Sequence, residues 1–304
     1  MPTLTAALLS VLIPAVASAD KPAVDPAAAA GLDVAQIETL TGAKGKLDPG
    51  EPGVFKVSVP RSDLAVTAAG VRLTPPMGLT SWAAFKKVGD HVTVMGDTVM
   101  LEDQVNPVMS VALDNGLEVT ALHNHFFWDA PKVMFMHIGG MGDVETLARA
   151  VGRVFAKIKE TSGGKGTTPT ASIDPAQTTL DPAKIEAALG RKGQLADGVY
   201  KVVIGRTTSM AGHEMAAGMG VNTWAAFAGA DDLAVVDGDF AMLESELQAV
   251  LKALRRADLH IVAIHQHMSG EQPRILFLHY WGVGRTADLA KGLRAALDQT
   301  KDNP

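Results

Sequence analysis

The strongest constraint on this chain is that it contains itself twice. Ser81–Ile158 aligns on Thr223–Thr300 without a gap, with about 30% identity. Trp82-Ala83-Ala84-Phe85 matches Trp224-Ala225-Ala226-Phe227, and Gly96-Asp97 matches Gly238-Asp239. Met100-Leu101-Glu102 matches Met242-Leu243-Glu244, and His123-x-His125 matches His265-x-His267. Pro131, Phe135 and His137 match Pro273, Phe277 and His279. With two small gaps the match extends upstream, through Gly53-Val54-Phe55-Lys56-Val57 against Gly198-Val199-Tyr200-Lys201-Val202. The repeats therefore span residues 31–160 and 180–304. Residues 161–179, rich in Gly, Thr, Ser and Pro, read as a linker.

The apolar pattern predicts an α+β unit. A short helix covers Asp33–Thr41, with Asp181–Leu189 as its copy, and a strand follows at Val54–Val59. After one or two further strands up to Phe85, Val92–Val99 reads as a strand and Glu102–Asp114 as a helix. Pro107 would kink that helix or sit in its first turn. Leu117–His125 and Val133–Ile138 read as strands, and Val144–Ile158 as the closing helix. Each repeat thus has several strands followed by helix–strand–strand–helix. Trp82 and Trp224 open apolar runs and are expected in the core.

Side chains two apart on a strand share a face. His123 and His125 therefore point the same way, and Leu117, Val119 and Ala121 put them on the apolar row. A hairpin centred near Ala130 sets His123 directly across from His137, so three imidazoles converge. The second copy repeats this with His265, His267 and His279. Six of the nine histidines are spent in this way. Three imidazoles on neighbouring strands suit a divalent metal, Zn²⁺, Mn²⁺ or Fe²⁺, with one coordination position open. Asp97, Glu102, Asp239 and Glu244 are the candidate acidic partners. Two other readings stand beside this one. The histidines could be polar contacts in a metal-free pocket for a small molecule, or core residues satisfied by each other and by backbone.

Composition narrows the functional classes. The chain has 304 residues, 47% apolar and 20% charged, with net charge −6. No basic run is present to neutralise phosphates, which disfavours a nucleic-acid partner. Cysteine is absent, which excludes disulfides, thiolate metal sites, a cysteine nucleophile and a lipid anchor on an N-terminal cysteine. Leu4–Val16 is a short apolar run ending in Ala17-Ser18-Ala19, the pattern of a cleavable signal over residues 1–19, although no Lys or Arg precedes it. No later segment is apolar for long enough to span a bilayer. A periplasmic or secreted location is the expectation. His213-Glu214 occurs only in the second copy, and Glu271-x-Pro273-Arg274 parallels Asp129-Ala130-Pro131-Lys132 as a surface turn carrying a cation.

Several of these segments resemble one family. Trp224-Ala225-Ala226-Phe227, Asp237–Glu244, Ala263–Met268 and Phe277–Gly282 look like the LppY/LpqO proteins, as do Met95-Gly96-Asp97 and Ala121–His125. The resemblance covers nearly the whole mature chain. It implies an exported bacterial protein and brings no established activity and no catalytic residue. The lack of cysteine departs from the family's lipoprotein members. If the chain is an enzyme, a metal-dependent hydrolase or lyase fits the histidines; otherwise a ligand-binding or a structural envelope protein fits the frame.

Overall fold

The computed structural model describes residues 31–164, 166 and 168–301. The signal-like segment 1–19 lies outside them. The first repeat contains helices α1 (Val34–Thr41), α2 (Glu102–Asp114) and α3 (Val144–Glu160). Its strands are β1 (Gly45–Leu47), β2 (Val54–Pro60), β3 (Thr67–Ala68), β4 (Val71–Arg72), β5 (Thr80–Val88) and β6 (His91–Leu101), then β7 (Glu118–His123), β8 (Asp129–Ala130) and β9 (Val133–Gly142). The second repeat contains α4 (Pro182–Leu189), α5 (Leu247–Arg256) and α6 (Thr286–Leu297). Its strands are β10 (Gln194–Ala196), β11 (Val199–Gly205), β12 (Thr208–Met210), β13 (His213–Met215), β14 (Asn222–Gly229), β15 (Ala234–Leu243), β16 (His260–His265) and β17 (Ile275–Gly284). The chain is a mixed α+β protein with a duplicated unit. Between α2 and α3 the two-residue strand β8 adds to the two longer ones.

Twelve strands form one antiparallel sheet in the order β1-β2-β5-β6-β9-β7-β16-β17-β15-β14-β11-β10. The second half of that order mirrors the first, so a pseudo-two-fold passes between β7 and β16. Leu122 pairs with Ile264, its own counterpart in the other repeat. The six helices cover one face and follow the same symmetry: α1 packs on α3, α3 on α2, α2 on α5, α5 on α6 and α6 on α4. Beneath them one core runs through both repeats, including Phe85, Met109, Leu122 and Val154 in the first and Phe227, Phe240, Leu254 and Tyr280 in the second. Asp33, Asp143 and Asp181 cap α1, α3 and α4 by accepting from backbone amides of the first turn. Pro107 lies inside α2, beyond its first turn.

On the opposite face, the segments after β2 and β11 fold back over the sheet. They close two smaller clusters, Leu64, Val66, Leu73, Leu79, Val99, Val133 and Phe135, and Val221, Ala241, Ile275 and Phe277. Trp82 and Trp224 belong to this face. The alternation of β5 and β14 sends Ala83 and Phe85, or Ala225 and Phe227, to the core. Each indole is instead half-buried under a lysine, Lys56 at 3.8 Å and Lys201 at 4.2 Å from the ring centroid. The expectation of core tryptophans is thus corrected by strand parity.

An internal comparison explains one buried ion pair. Arg206 is buried where β11 ends and donates to Glu246 Oε2 at 2.7 Å and to the Ala241 carbonyl at 3.2 Å. In the first repeat Arg61 plays the same part against the Val99 carbonyl, and Gln104 stands where Glu246 does. Burial alone would push the Glu246 carboxyl up. The Arg206 guanidinium and the amides of Lys301 and Leu243 outweigh it and hold the group below its ordinary 4.5. A depressed folded value means that the unfolded chain binds the proton first as pH falls. Stability from this pair is therefore present above about pH 4.5 and is lost as pH falls further through the folded value. Thermal midpoints measured from about pH 6 to about pH 3 should fall less steeply in Glu246→Gln, which imports the first repeat's chemistry. Parallel wild-type and variant curves would contradict this.

Candidate metal centre

The histidines reach their face through a break in strand alternation. Glu118 and Val119 pair with Gly139 and Ile138, but Ala121, Leu122 and His123 pair with His137, Met136 and Phe135. Thr120 is the extra residue of a β-bulge, which reverses the facing of every later residue on the strand. Val119 and Leu122 therefore both enter the helical core. Ala121 and His123 turn to the other side. The same irregularity lies between Ile261 and Ala263, with Val262 as the extra residue. Two sequence expectations change. The histidines leave the core row at the bulge, and His123 lies across from Phe135, two pairs removed from His137. His137 instead sits between Ala121 on β7 and Asp97 on β6, as His279 sits between Ala263 and Asp239.

In the second repeat the donors converge. His267 Nε2 lies 3.2 Å from Asp239 Oδ2, His265 Nε2 lies 3.9 Å from the same oxygen, and the two Nε2 atoms are 3.2 Å apart. These three residues form a group able to hold a metal ion. The circle through their three donor atoms has a radius of about 2.0 Å, the length of a Zn–N or Zn–O bond. Asp239 is buried, while His265 and His267 are about a third exposed. His279 stands behind, stacked on His265 at 4.5 Å. The expected three-histidine set is thus reshaped into two histidines and a carboxylate, with His279 as support.

Hydrogen bonds fix the ring protons. His267 Nδ1 lies 3.2 Å from the Gly220 carbonyl and His279 Nδ1 lies 3.3 Å from the Gly238 carbonyl. A carbonyl only accepts, so each Nδ1 carries a proton and Nε2 is the atom left for a metal. His267 also lies flat on Phe277, with ring centroids 3.5 Å apart. Gly220 has φ +82 and closes the turn that supplies the carbonyl, and a Cβ there would approach His267 to 3.8 Å. Burial, then the neighbouring His279 and His267, push His265 down to about 4. At neutral pH it is uncharged, the form that binds metal. Burial raises Asp239 against the pull of His279 and His267. Asp239 Oδ1 and His265 Nδ1 are buried without a hydrogen-bond partner. A lone pair of His267 facing a carboxylate oxygen at 3.2 Å is repulsive unless a proton or a cation lies between them.

The first repeat brings the same residue types together more loosely. His123 lies 5.1 Å from both His125 and His137, ring to ring, and His125 lies flat on Phe135 at 3.3 Å. Asp97 is buried, its carboxyl raised by that burial against the pull of His137, His125 and His123, and its Oδ1 also lacks a partner. Burial lowers His125. Among the described residues only the second copy places three donor atoms close enough to share an ion. Glu102 and Glu244 face elsewhere: both are well exposed, at 3.8 Å from Lys132 and Arg274. His213 and Glu214 are exposed on the β12–β13 hairpin. Asp129 accepts from the Val133 amide at 2.8 Å and the buried Glu271 accepts from the Ile275 amide at 3.2 Å. Both carboxylates thus brace the start of a strand, while Ala130-Pro131-Lys132 and Gln272-Pro273-Arg274 are exposed, as a surface turn carrying a cation should be.

Each bulge is held by the other repeat. Asn106 on α2 donates to the Ile261 carbonyl at 3.1 Å and accepts from the Ile261 amide at 2.8 Å. Gln248 on α5, its counterpart, donates to the Val119 carbonyl at 2.8 Å and accepts from the Val119 amide at 2.9 Å. The pair crosses the two-fold where β7 and β16 share a single bridge. Sequence reading passed over these two amides and over Phe135 and Phe277 beneath the rings. Their placement at equivalent positions of both repeats was the available signal.

Fold and site together define a class: a duplicated α+β protein on one antiparallel sheet, with a carboxylate–imidazole cluster in each half on the face away from the helices. The chain belongs to the DUF1529 family, described as "Domain of Unknown Function (DUF1259)", whose model matches residues 35–157 and 183–299. Among curated proteins and among solved structures none matches the chain.

Proposed function

We propose that this chain is an exported metal-binding protein whose second repeat carries one divalent ion on Asp239, His265 and His267. The observation that carries the reading is the triangle of donor atoms about 2.0 Å from a common point. The burial of Asp239 supports it: its Oδ1 has no partner, and a cation held through Oδ2 would offset the cost of a buried carboxylate. The donor separations average about 3.4 Å. A tetrahedron with 2.0–2.1 Å bonds has edges of about 3.3–3.4 Å and a facial octahedral set edges of about 2.8–3.0 Å; the two separations of 3.2 Å lie between these and the third, 3.9 Å, exceeds both. Two histidines and a carboxylate with an open position serve Zn²⁺ and Fe²⁺ alike, and Zn²⁺ is the ion proposed for the test. Three protein ligands leave a fourth position for water or substrate, the arrangement of catalytic zinc sites. The apolar run and Ala17-Ser18-Ala19 support export, in keeping with the LppY/LpqO resemblance.

The test is elemental analysis of untagged protein. About one Zn²⁺ per chain is expected, lost in His267→Ala, whose partly exposed ring can be removed without opening the core. Added Zn²⁺ should raise the thermal midpoint of stripped wild-type protein and leave that of His267→Ala unchanged. Stripped protein that neither takes up Zn²⁺, Mn²⁺ or Fe²⁺ nor gains stability from them would remove the reading.

A further inference from the structure

A cavity of about 790 Å³ opens where the end of β7 meets the start of β16. Its walls include His123, Phe127, Trp128, Asp103, His260 and Trp281. The volume suits a small ligand, and a repeat junction is a common place for one. Three observations say that it is built for occupancy.

The first is strain. Trp128 has φ +59, in the left-handed region that a bulky residue avoids. Its counterpart in the second repeat, Gly270, holds φ +84, where glycine is the natural choice. The same turn thus exists twice, and only the copy beside the cavity places a tryptophan on it. The second is exposure. Trp128 and Phe127 are 81% and 74% exposed, adjacent rings 5.8 Å apart. Trp128 and Phe127 have Gly270 and Ser269 as counterparts, and a further aromatic wall, Trp281, has Gly139. The third is charge. Four carboxylates and two long cations line the cavity. Lys132 faces Glu102 at 3.8 Å and Arg255 faces Asp258 at 3.6 Å. Asp129 is engaged by the Val133 amide, and Asp103, half-buried on the cavity wall, has no ion-pair partner among the described residues. What remains is a surplus of carboxylate beside exposed aromatic faces, in a chain of net charge −6.

We propose that this cavity binds a small organic cation, stacked on Trp128 and neutralised by Asp103. Aromatic faces attract ammonium groups through the ring quadrupole, and a nearby unpaired carboxylate adds direct charge complementarity. The site is independent of the metal centre, so the test is run with chelator present. Titration calorimetry of the full chain with benzyltrimethylammonium should show one saturable site, with Kd below about 1 mM. Trp128→Gly should weaken binding at least about tenfold while leaving the thermal midpoint unchanged or higher, because it restores the second repeat's backbone. Asp103→Asn should weaken binding by a similar factor at unchanged fold. Saturable binding of uncharged maltotriose in place of the cation would overturn the proposal, as would binding indifferent to Trp128→Gly, or no saturable binding of the cation below that limit.

Discussion

Asn106→Leu is expected to destabilise the chain by about 2–4 kcal/mol and to disturb the histidine cluster of the repeat it does not belong to. Asn106 is buried on α2, and its side-chain amide is matched to both backbone groups of Ile261. Leucine keeps the size and removes both partners. The Ile261 N–H and C=O then stay buried and unmet, each at a cost of about 1–3 kcal/mol, partly relieved by relaxation. Ile261 precedes the bulge that turns His265 out of the core row. Loosening that backbone should blur the Asp239–His265–His267 triangle, and an outer-shell loss of this kind costs about 10–100-fold in metal affinity. Denaturant unfolding and Zn²⁺ titration of the same sample separate the two effects. Gln248→Leu makes the internal control. Its partner is Val119, so it should disturb the His123 side and leave second-repeat metal affinity near wild type. Equal loss of metal affinity in both variants would show a general weakening of the frame, and the cross-repeat clamp would then be wrong.

What the sequence made legible, and what it hid, divides along physical lines. The duplication and the closing helix at Val144 were readable, because they rest on periodicity; that His123, His125 and His137 are neighbours was readable from spacing, the face they occupy was not. The bulges at Thr120 and Val262 were hidden, because one extra residue leaves no compositional mark yet flips every later side chain. The face of the tryptophans was hidden for a related reason. An apolar run reads as core whichever parity the strand adopts, and a half-buried indole under Lys56 looks the same in sequence as a buried one. The acidic partners were half readable. Asp97 and Asp239 are fixed by cross-strand register with His137 and His279. Glu102 and Glu244 share the same neighbourhood in sequence, but open α2 and the turn before α5, where they meet Lys132 and Arg274. Both copies carry the same four residue types, yet among the described residues their donor atoms meet only in the second.

Asp239→Asn should reverse the order of stability between metal-free and metal-loaded protein. In the metal-free state the wild-type carboxylate is buried among three imidazoles, one oxygen has no partner, and burial raises its pKa. Asparagine keeps the shape and removes the disfavoured charge. Its amide can also donate to His267 Nε2, whose lone pair otherwise faces a carboxylate oxygen at 3.2 Å. Metal-free Asp239→Asn should therefore be more stable than wild type by about 1–2 kcal/mol. With Zn²⁺ at about a thousand times its dissociation constant, wild type gains about 4 kcal/mol that the variant forgoes, because the one charged ligand is gone. Urea unfolding in chelator and in excess Zn²⁺ reads both differences directly. A variant less stable than wild type in chelator would mean that the carboxylate is a structural hydrogen-bonding group. A variant gaining as much from Zn²⁺ as wild type would place the ion elsewhere.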